Sequence, residues 1–336
     1  MRWIAVIGAA LLAASGSGQV SSFNGLPVLP ADSTGHYRIL IGGHFHGEST
    51  NRSGYPASTL LANLDTINSL GADLFLSTGD LFMDAASDRD RYERAFFSKL
   101  KVPLFNAPGN HDFGVPDGFG RSGILRFGFV AARVLLLNTE LNDGALDNAQ
   151  LEELRSLVDS DERDPPIFII SHRPIWSEDD PQYSDLFKDN TRSFTGTNFQ
   201  KDVYPILQKI AKHAQVYWIS GSLGGGAPSS IFIQEHAPNI TFIQCAIRDE
   251  PRDALLIADV YPDSVHWSAL SLTGQILEAP KTYDAAWWRK HTGRGEGFNW
   301  RLLPYMTKKT LTHAAFWWGA AFALFLVFLV RRLLRR

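Results

Sequence analysis

Short apolar runs alternate with amphipathic stretches along most of this chain, and the runs break off in polar segments rich in Gly, Asp and His. Arg38 to Ile41 reads as a strand that opens into a Gly/His loop. Ser58 to Leu70 carries apolar residues at helical spacing and stops at Gly71, a residue suited to a left-handed C-cap. Ala72 to Ser77 is a short strand running into Thr78-Gly79-Asp80. Asp88 to Leu100 reads as a helix, and Val102 to Asn106 as a strand that leads to Pro108-Gly109-Asn110-His111. Two paired strands follow at Ile124 to Phe129 and Ala132 to Leu137, then a helix at Asp147 to Val158 with an acidic start. Pro166 to Ile170 is a strand delivering Ser171-His172. Phe199 to His213 is helical, and Val216 to Ser220 is a strand ending in a Gly-rich turn. From Ile231 to Leu277 short strands succeed one another without a helix. This order predicts two mixed sheets packed face to face with helices outside.

Two segments break the alternation. Ile175 to Asn198 is polar and Asp-rich, and a loop of that length is expected to cover a site. Ala279 to Leu303, with Trp287, Trp288 and Trp300, reads as a stalk or membrane-surface segment.

The ends carry their own pattern. A short basic start at Met1-Arg2-Trp3 precedes the apolar stretch Ile4 to Ala14 and small residues at Ser15 to Gly18, the layout of a signal peptide. Ala314 to Val330 is free of charge and is followed by Arg331, Arg332, Arg335 and Arg336. At about 1.5 Å per residue those positions reach about 26 Å, and Leu311 and Thr312 extend the span. Trp317 and Trp318 sit where interfacial aromatics gather, and the arginines suit a cytoplasmic end.

Composition changes this picture little. The chain has 336 residues, 45% hydrophobic, with a net charge of −3. Near-neutral charge gives no basic face for a nucleic-acid partner. Cys245 is alone, which rules out an internal disulfide and a cysteine-based zinc site.

The candidate chemistry lies where strands end. His44-Phe45-His46, Gly79-Asp80, Gly109-Asn110-His111-Asp112 and Ser171-His172 each closely follow an apolar run. Loops at the same ends of sheet strands converge in space. Imidazole and carboxylate are the donors that zinc, manganese and iron accept. Asp84 and Asp112 are candidates to orient a histidine from behind. Gly221 to Gly226 is either a tight turn or a backbone cradle for an anion.

With Gly79-Asp80, Pro108-Gly109-Asn110-His111-Asp112 and His172 in this order, the chain resembles the calcineurin-like metallophosphoesterases over about Tyr37 to Glu278. The resemblance implies a four-layer α/β/β/α sandwich of two mixed sheets, followed here by a C-terminal transmembrane helix. It implies Asp80 as the carboxylate bridging two divalent ions, with His44 and His46 on the first ion and Asn110 and His172 on the second. His111 would be the acid that protonates the leaving group or stabilises the phosphoryl oxygens, and metal-bound hydroxide would attack a phosphoester. Two departures stand out. His44 occupies the place of the family's first Asp, and Gly221-Ser222-Leu223-Gly224 lacks both histidines of the family's final motif. His213, His236 and His266 are candidates to replace them in space. The ions expected are up to two of Zn, Mn or Fe, or none if the altered motifs no longer bind.

The expected organisation is a signal peptide at 1–19, the metallophosphoesterase domain at 20–279, a juxtamembrane stalk at 280–310, a transmembrane helix at 311–330 and a basic cytoplasmic tail at 331–336. The expected function is hydrolysis of a phosphoester outside the cytoplasm by a single-pass, membrane-tethered domain. The competing expectation is an inactive binding or scaffolding module with an envelope protein or polysaccharide partner.

Overall fold

The structure, a computed structural model, describes residues 19–30, 35–113, 125–128, 132–158, 164–187, 196–292, 303–312 and 314–335. The segment read as a signal peptide lies outside the described residues, apart from position 19.

Eleven strands are described: β1 (Tyr37–Gly42), β2 (Leu74–Ser77), β3 (Leu104–Asn106), β4 (Leu125–Gly128), β5 (Arg133–Leu136), β6 (Ile167–Ile170), β7 (Val216–Ser220), β8 (Ile231–Ala237), β9 (Ile240–Cys245), β10 (Ala254–Val260) and β11 (Val265–Ser271). They form a five-stranded sheet in the order β11-β10-β1-β2-β3 and a six-stranded sheet in the order β4-β5-β6-β7-β9-β8. Both sheets are mixed. The β1, β2 and β3 pairings are parallel, as are those joining β5, β6, β7 and β9, whereas β10, β11, β4 and β8 run antiparallel to their neighbours.

Successive strand residues face opposite ways, and the five-stranded sheet uses that alternation to feed two cores. Ile39, Ile41, Leu74 and Leu76 join the large core shared with the second sheet. Leu40, Phe75, Leu255 and Ile257 join a second core under the helices α1 (Ser58–Ala62), α2 (Leu64–Ser69) and α3 (Ala85–Ala95). Two buried faces explain why these strands read as continuous apolar runs. On the other sheet, α4 (Asn148–Arg155) and the helical segment at Phe199–Ile210 contribute Leu151, Leu154, Phe199 and Leu207 to the large core.

Several expectations need adjustment. The helix read over Ser58 to Leu70 is split between Ala62 and Leu64, and the Asn63 amide there donates to the carbonyls of Thr59 and Leu272. The helix read over Phe199 to His213 begins with a wide π turn at Phe199–Val203, before Pro205 at the start of α6 (Tyr204–Ile210), with α5 (Ser184–Phe187) preceding both. The described part of the segment at 175–187 does not lie over the pocket as a cover. Trp176, Tyr183, Leu186 and Phe187 are buried in the large core, and Trp176 lies parallel to Phe242 with ring centroids 5.0 Å apart. The start of the segment read as a stalk packs on the domain: Trp288, on α7 (Ala285–His291), is fully buried and donates its indole N–H to the Ile231 carbonyl at 3.0 Å. After α8 (Leu303–Thr312), helix α9 (Ala314–Leu334) is 21 residues long, apolar, and has no residue buried against the domain.

Candidate metal centre

The carboxyl ends of β1, β2, β3, β6, β7 and β9 carry the residues that meet at one pocket of about 210 Å³. His44, His46, Asp80, Asn110 and His111 line it together with Ser49, Ser222, Leu223, Gly224 and Arg248. His172 lies buried beneath, with Nε2 3.3 Å from Asp80 Oδ2. All six residues anticipated from the strand ends are thus brought together.

The loops reach this arrangement through unusual backbone geometry. His44 and Asp80 adopt φ of 55° and 58°, a left-handed conformation that non-glycine residues enter at a cost. Asp112 helps to hold Asp80 there: its carboxylate accepts the backbone N–H groups of Asp80, Leu81 and Gly109 at 2.8–2.9 Å, and the Asn106 amide at 2.9 Å. Gly109 is required by close approach, since a Cβ there would lie 2.2 Å from Asp80 Oδ1. Gly79 has φ of 97°, and a Cβ there would lie 2.6 Å from the His172 ring. Neither acidic neighbour orients a histidine, contrary to expectation. Asp112 serves backbone groups, and Asp84 caps α3 by accepting the N–H groups of Ala86 and Ser87.

Asp80 divides its two oxygens. Oδ1 accepts the His111 backbone N–H at 3.0 Å, while Oδ2 faces three imidazoles. His172, His44 and His46 approach it through Nε2 at 3.3, 3.4 and 3.6 Å. These gaps exceed the ~2.7–2.9 Å of a charge-assisted hydrogen bond. Both ring nitrogens of His44 and His46 and Nε2 of His172 are buried without a hydrogen-bond partner. Buried polar atoms are otherwise almost always satisfied, so unpartnered nitrogens around one carboxylate point to a cation-binding site. The spacing agrees: ligand atoms about 2.0–2.1 Å from a tetrahedral zinc lie about 3.3 Å apart. Two three-residue groups can form such a shell, His44 with Asp80 and His172, and His46 with Asp80 and His111. The donor set therefore fits divalent metal.

Proton positions follow from the partners. The Nδ1 of His172 lies 2.9 Å from the Thr78 carbonyl, and that of His111 lies 2.9 Å from the Met83 carbonyl. Each carbonyl only accepts, so Nδ1 carries the proton and Nε2 is left for the site. Burial holds His44 well below the ordinary imidazole range, outweighing the pull of Asp80, which keeps it neutral and able to ligate. Burial would also lower His172, but the adjoining Asp80 charge raises it to about 9. Burial alone would raise Asp80, yet the His172 charge and contacts with His172 and His46 hold it well below the usual carboxylate range.

The Gly221–Gly226 turn is no free cradle at its start. The N–H groups of Gly221 and Ser222 both donate to the His172 carbonyl, at 2.8 and 2.7 Å. The turn contributes Ser222, Leu223 and Gly224 to the pocket and no imidazole. None of the proposed substitutes fills the gap. His213 pairs with Asp164 at 3.0 Å, His236 with the hydroxyls of Tyr183 and Tyr204, and His266 packs on Tyr261. Arg248, which sequence reading missed, does line the pocket. Its signal was available: it is the first charged residue after the apolar run from Ile240 to Ile247.

A family model described as calcineurin-like phosphoesterase matches residues 37–204. No curated protein matches the chain. Among solved structures, a dimetal phosphatase from Danio rerio is similar over 74% of this chain and 99% of its own, at 13% identity and a TM-score of 0.49. A purple acid phosphatase from yellow lupin (Lupinus luteus) seeds is similar over 76% of this chain and 55% of its own, at 12% identity and a TM-score of 0.50. At that identity the lupin likeness speaks to the fold alone.

Proposed function

Because the chain belongs to the calcineurin-like phosphoesterase family, we propose that it hydrolyses a phosphoester at the Asp80 pocket while α9 holds the domain at a membrane. The observation that carries this reading is the set of buried, unpartnered imidazole nitrogens around Asp80 Oδ2. Such groups are expensive to bury for packing alone, and divalent cations would satisfy them.

His44, His46, Asp80, Asn110 and His172 would hold up to two ions, with Asp80 between them. The imidazole-rich donor set suits zinc, and manganese or iron less, because His44 stands where the family has a carboxylate. Bound ions would supply a Lewis acid and an activated water near neutral pH. The chain's own groups do the rest. Asn110 offers an amide to the pocket rim. His111 is pinned through Nδ1 to the Met83 carbonyl, which leaves Nε2 as the nitrogen that would pass a proton to the departing oxygen. Glu140, in its close pair with Arg173 at 2.6 Å, adds negative charge behind His172.

The alternative of an inactive binding module rests on the altered motifs alone, and the retained cluster argues against it. We place the domain outside the cytoplasm and the arginine-rich end of α9 within it, on the charge that follows the apolar span. The test uses the full chain in detergent with p-nitrophenyl phosphate and its bis ester. Hydrolysis should vanish on chelation and return with zinc, manganese or iron, and the chain should stay with membranes through alkaline carbonate washing. Hydrolysis indifferent to chelation would overturn the reading of the site, and release by carbonate would overturn the tether.

A further inference from the structure

Arg248 follows β9 closely and lines the pocket with His44, His46 and Asp80, yet nothing in the hydrolytic reading uses it. Its side chain is 13% exposed. The guanidinium is braced by protein groups. Nε meets Glu250 Oε1 at 3.3 Å, and Nη1 donates to the Leu223 carbonyl at 3.0 Å. The Arg248 backbone N–H donates to the buried Asp253 carboxylate at 2.9 Å, which fixes the base of the side chain. Glu250 is shared, because Arg252 Nε donates to its other oxygen at 2.9 Å. Arg252 Nη2 also donates to the Gly224 carbonyl at 3.2 Å. Two arginines around one carboxylate therefore grip the turn at 221–226, the turn that lacks the imidazoles.

Arg248 therefore puts a fixed guanidinium on that wall, where Glu250 is already shared with Arg252. Arg248 is the one permanent cation among the residues lining the pocket, and Nη2 has no protein partner among the described residues. A pre-positioned guanidinium with a free N–H edge is suited to an oxyanion, whose oxygens accept in its plane. The position matters too. Arg248 and the Leu223 carbonyl that orients it stand on the side of the pocket where metal-ligating side chains are absent.

We propose that Arg248 is the anion anchor of this pocket, binding an oxygen of a phosphate-class oxyanion and supplying charge on the wall formed by Ser222, Leu223 and Gly224. The assignment rests on the phosphoester reading of the same site. It gives the pocket two kinds of positive charge, held by different elements: exchangeable cations at Asp80 and a fixed one at Arg248.

The test is calorimetric titration of inorganic phosphate into the zinc-supplemented full chain, comparing wild type, Arg248→Gln and Arg248→Lys, with zinc content measured on every sample. Glutamine keeps a donor for the Leu223 carbonyl and removes the charge. The expected result is unchanged zinc, phosphate binding weakened about 10- to 100-fold in Arg248→Gln, and partial recovery in Arg248→Lys. Equal phosphate affinity in wild type and Arg248→Gln overturns the inference while leaving the metal reading standing. Loss of zinc in Arg248→Gln also overturns it, since Arg248 would then only position the turn. A wild-type chain that takes up no zinc strikes the metal reading instead, and the same titration on metal-free protein then decides whether phosphate binding depends on Arg248.

Discussion

The Asp112 carboxylate accepts the backbone N–H of Asp80 at 2.9 Å, so one buried acid holds the left-handed turn of another. The same Asp112 oxygen also accepts from Gly109 and Asn106, and its partner oxygen accepts from Leu81. Burial and the nearby Asp80 charge raise the Asp112 pKa, and these donors offset that cost. Asp112→Asn would turn an amide group toward backbone N–H donors. The expected loss is about 2–4 kcal/mol of stability in denaturant unfolding, with weakened metal uptake, although Asp112 is in neither candidate ligand group. Unchanged stability and metal affinity would contradict the bracing role.

His172 sets a pH dependence for the metal-free protein. Its folded-state pKa of about 9 lies above the ordinary 6.5 because Asp80 outweighs the burial penalty. A raised pKa means the stabilising contribution is fully present below about pH 6.5 and is lost as pH climbs through about 9. The thermal midpoint of chelated protein should fall across that window, and His172→Gln should flatten the fall. Loading zinc at pH 7 should release a proton, readable with an indicator dye.

His111 separates two roles. As a proton donor it is dispensable for metal, so His111→Ala should keep the ions while turnover drops about 10²- to 10⁴-fold. Its place in the group with His46 and Asp80 makes the other outcome informative. Loss of metal in His111→Ala would make it a ligand.

Trp288 tests where the domain ends. It packs with Phe187 and Phe232 at centroid distances of 5.5 and 5.3 Å and is fully buried. Trp288→Ala should cost about 3–5 kcal/mol in denaturant unfolding. A change below about 1 kcal/mol would mean the segment is only loosely attached.

Much of the site was legible because strands ending in Gly-Asp and Gly-Asn-His-Asp announce themselves through apolar runs that stop abruptly. The glycines carry the geometry: Gly109 and Gly79 stand where a Cβ would strike Asp80 and His172. What escaped was partner choice. A carboxylate two residues from a ligand looks equally able to serve a ring or a backbone, and Asp112 serves the backbone. Ile175 to Asn198 misled because its polar residues outnumber the aromatics, whereas Trp176, Tyr183 and Phe187 dictate burial without a regular period. Trp288 was misread for the same reason, since an aromatic beside a membrane span and one docking on a domain look alike in sequence.

The measurement that bears most directly on the account is the metal content of the full chain in detergent, by elemental analysis after zinc, manganese or iron supplementation, for wild type and Asp80→Asn. The account predicts about two ions per chain in wild type, with zinc retained best, and loss of both in Asp80→Asn, because a single carboxylate oxygen faces His44, His46 and His172. No bound metal under any supplementation, or undiminished metal in Asp80→Asn, would contradict it.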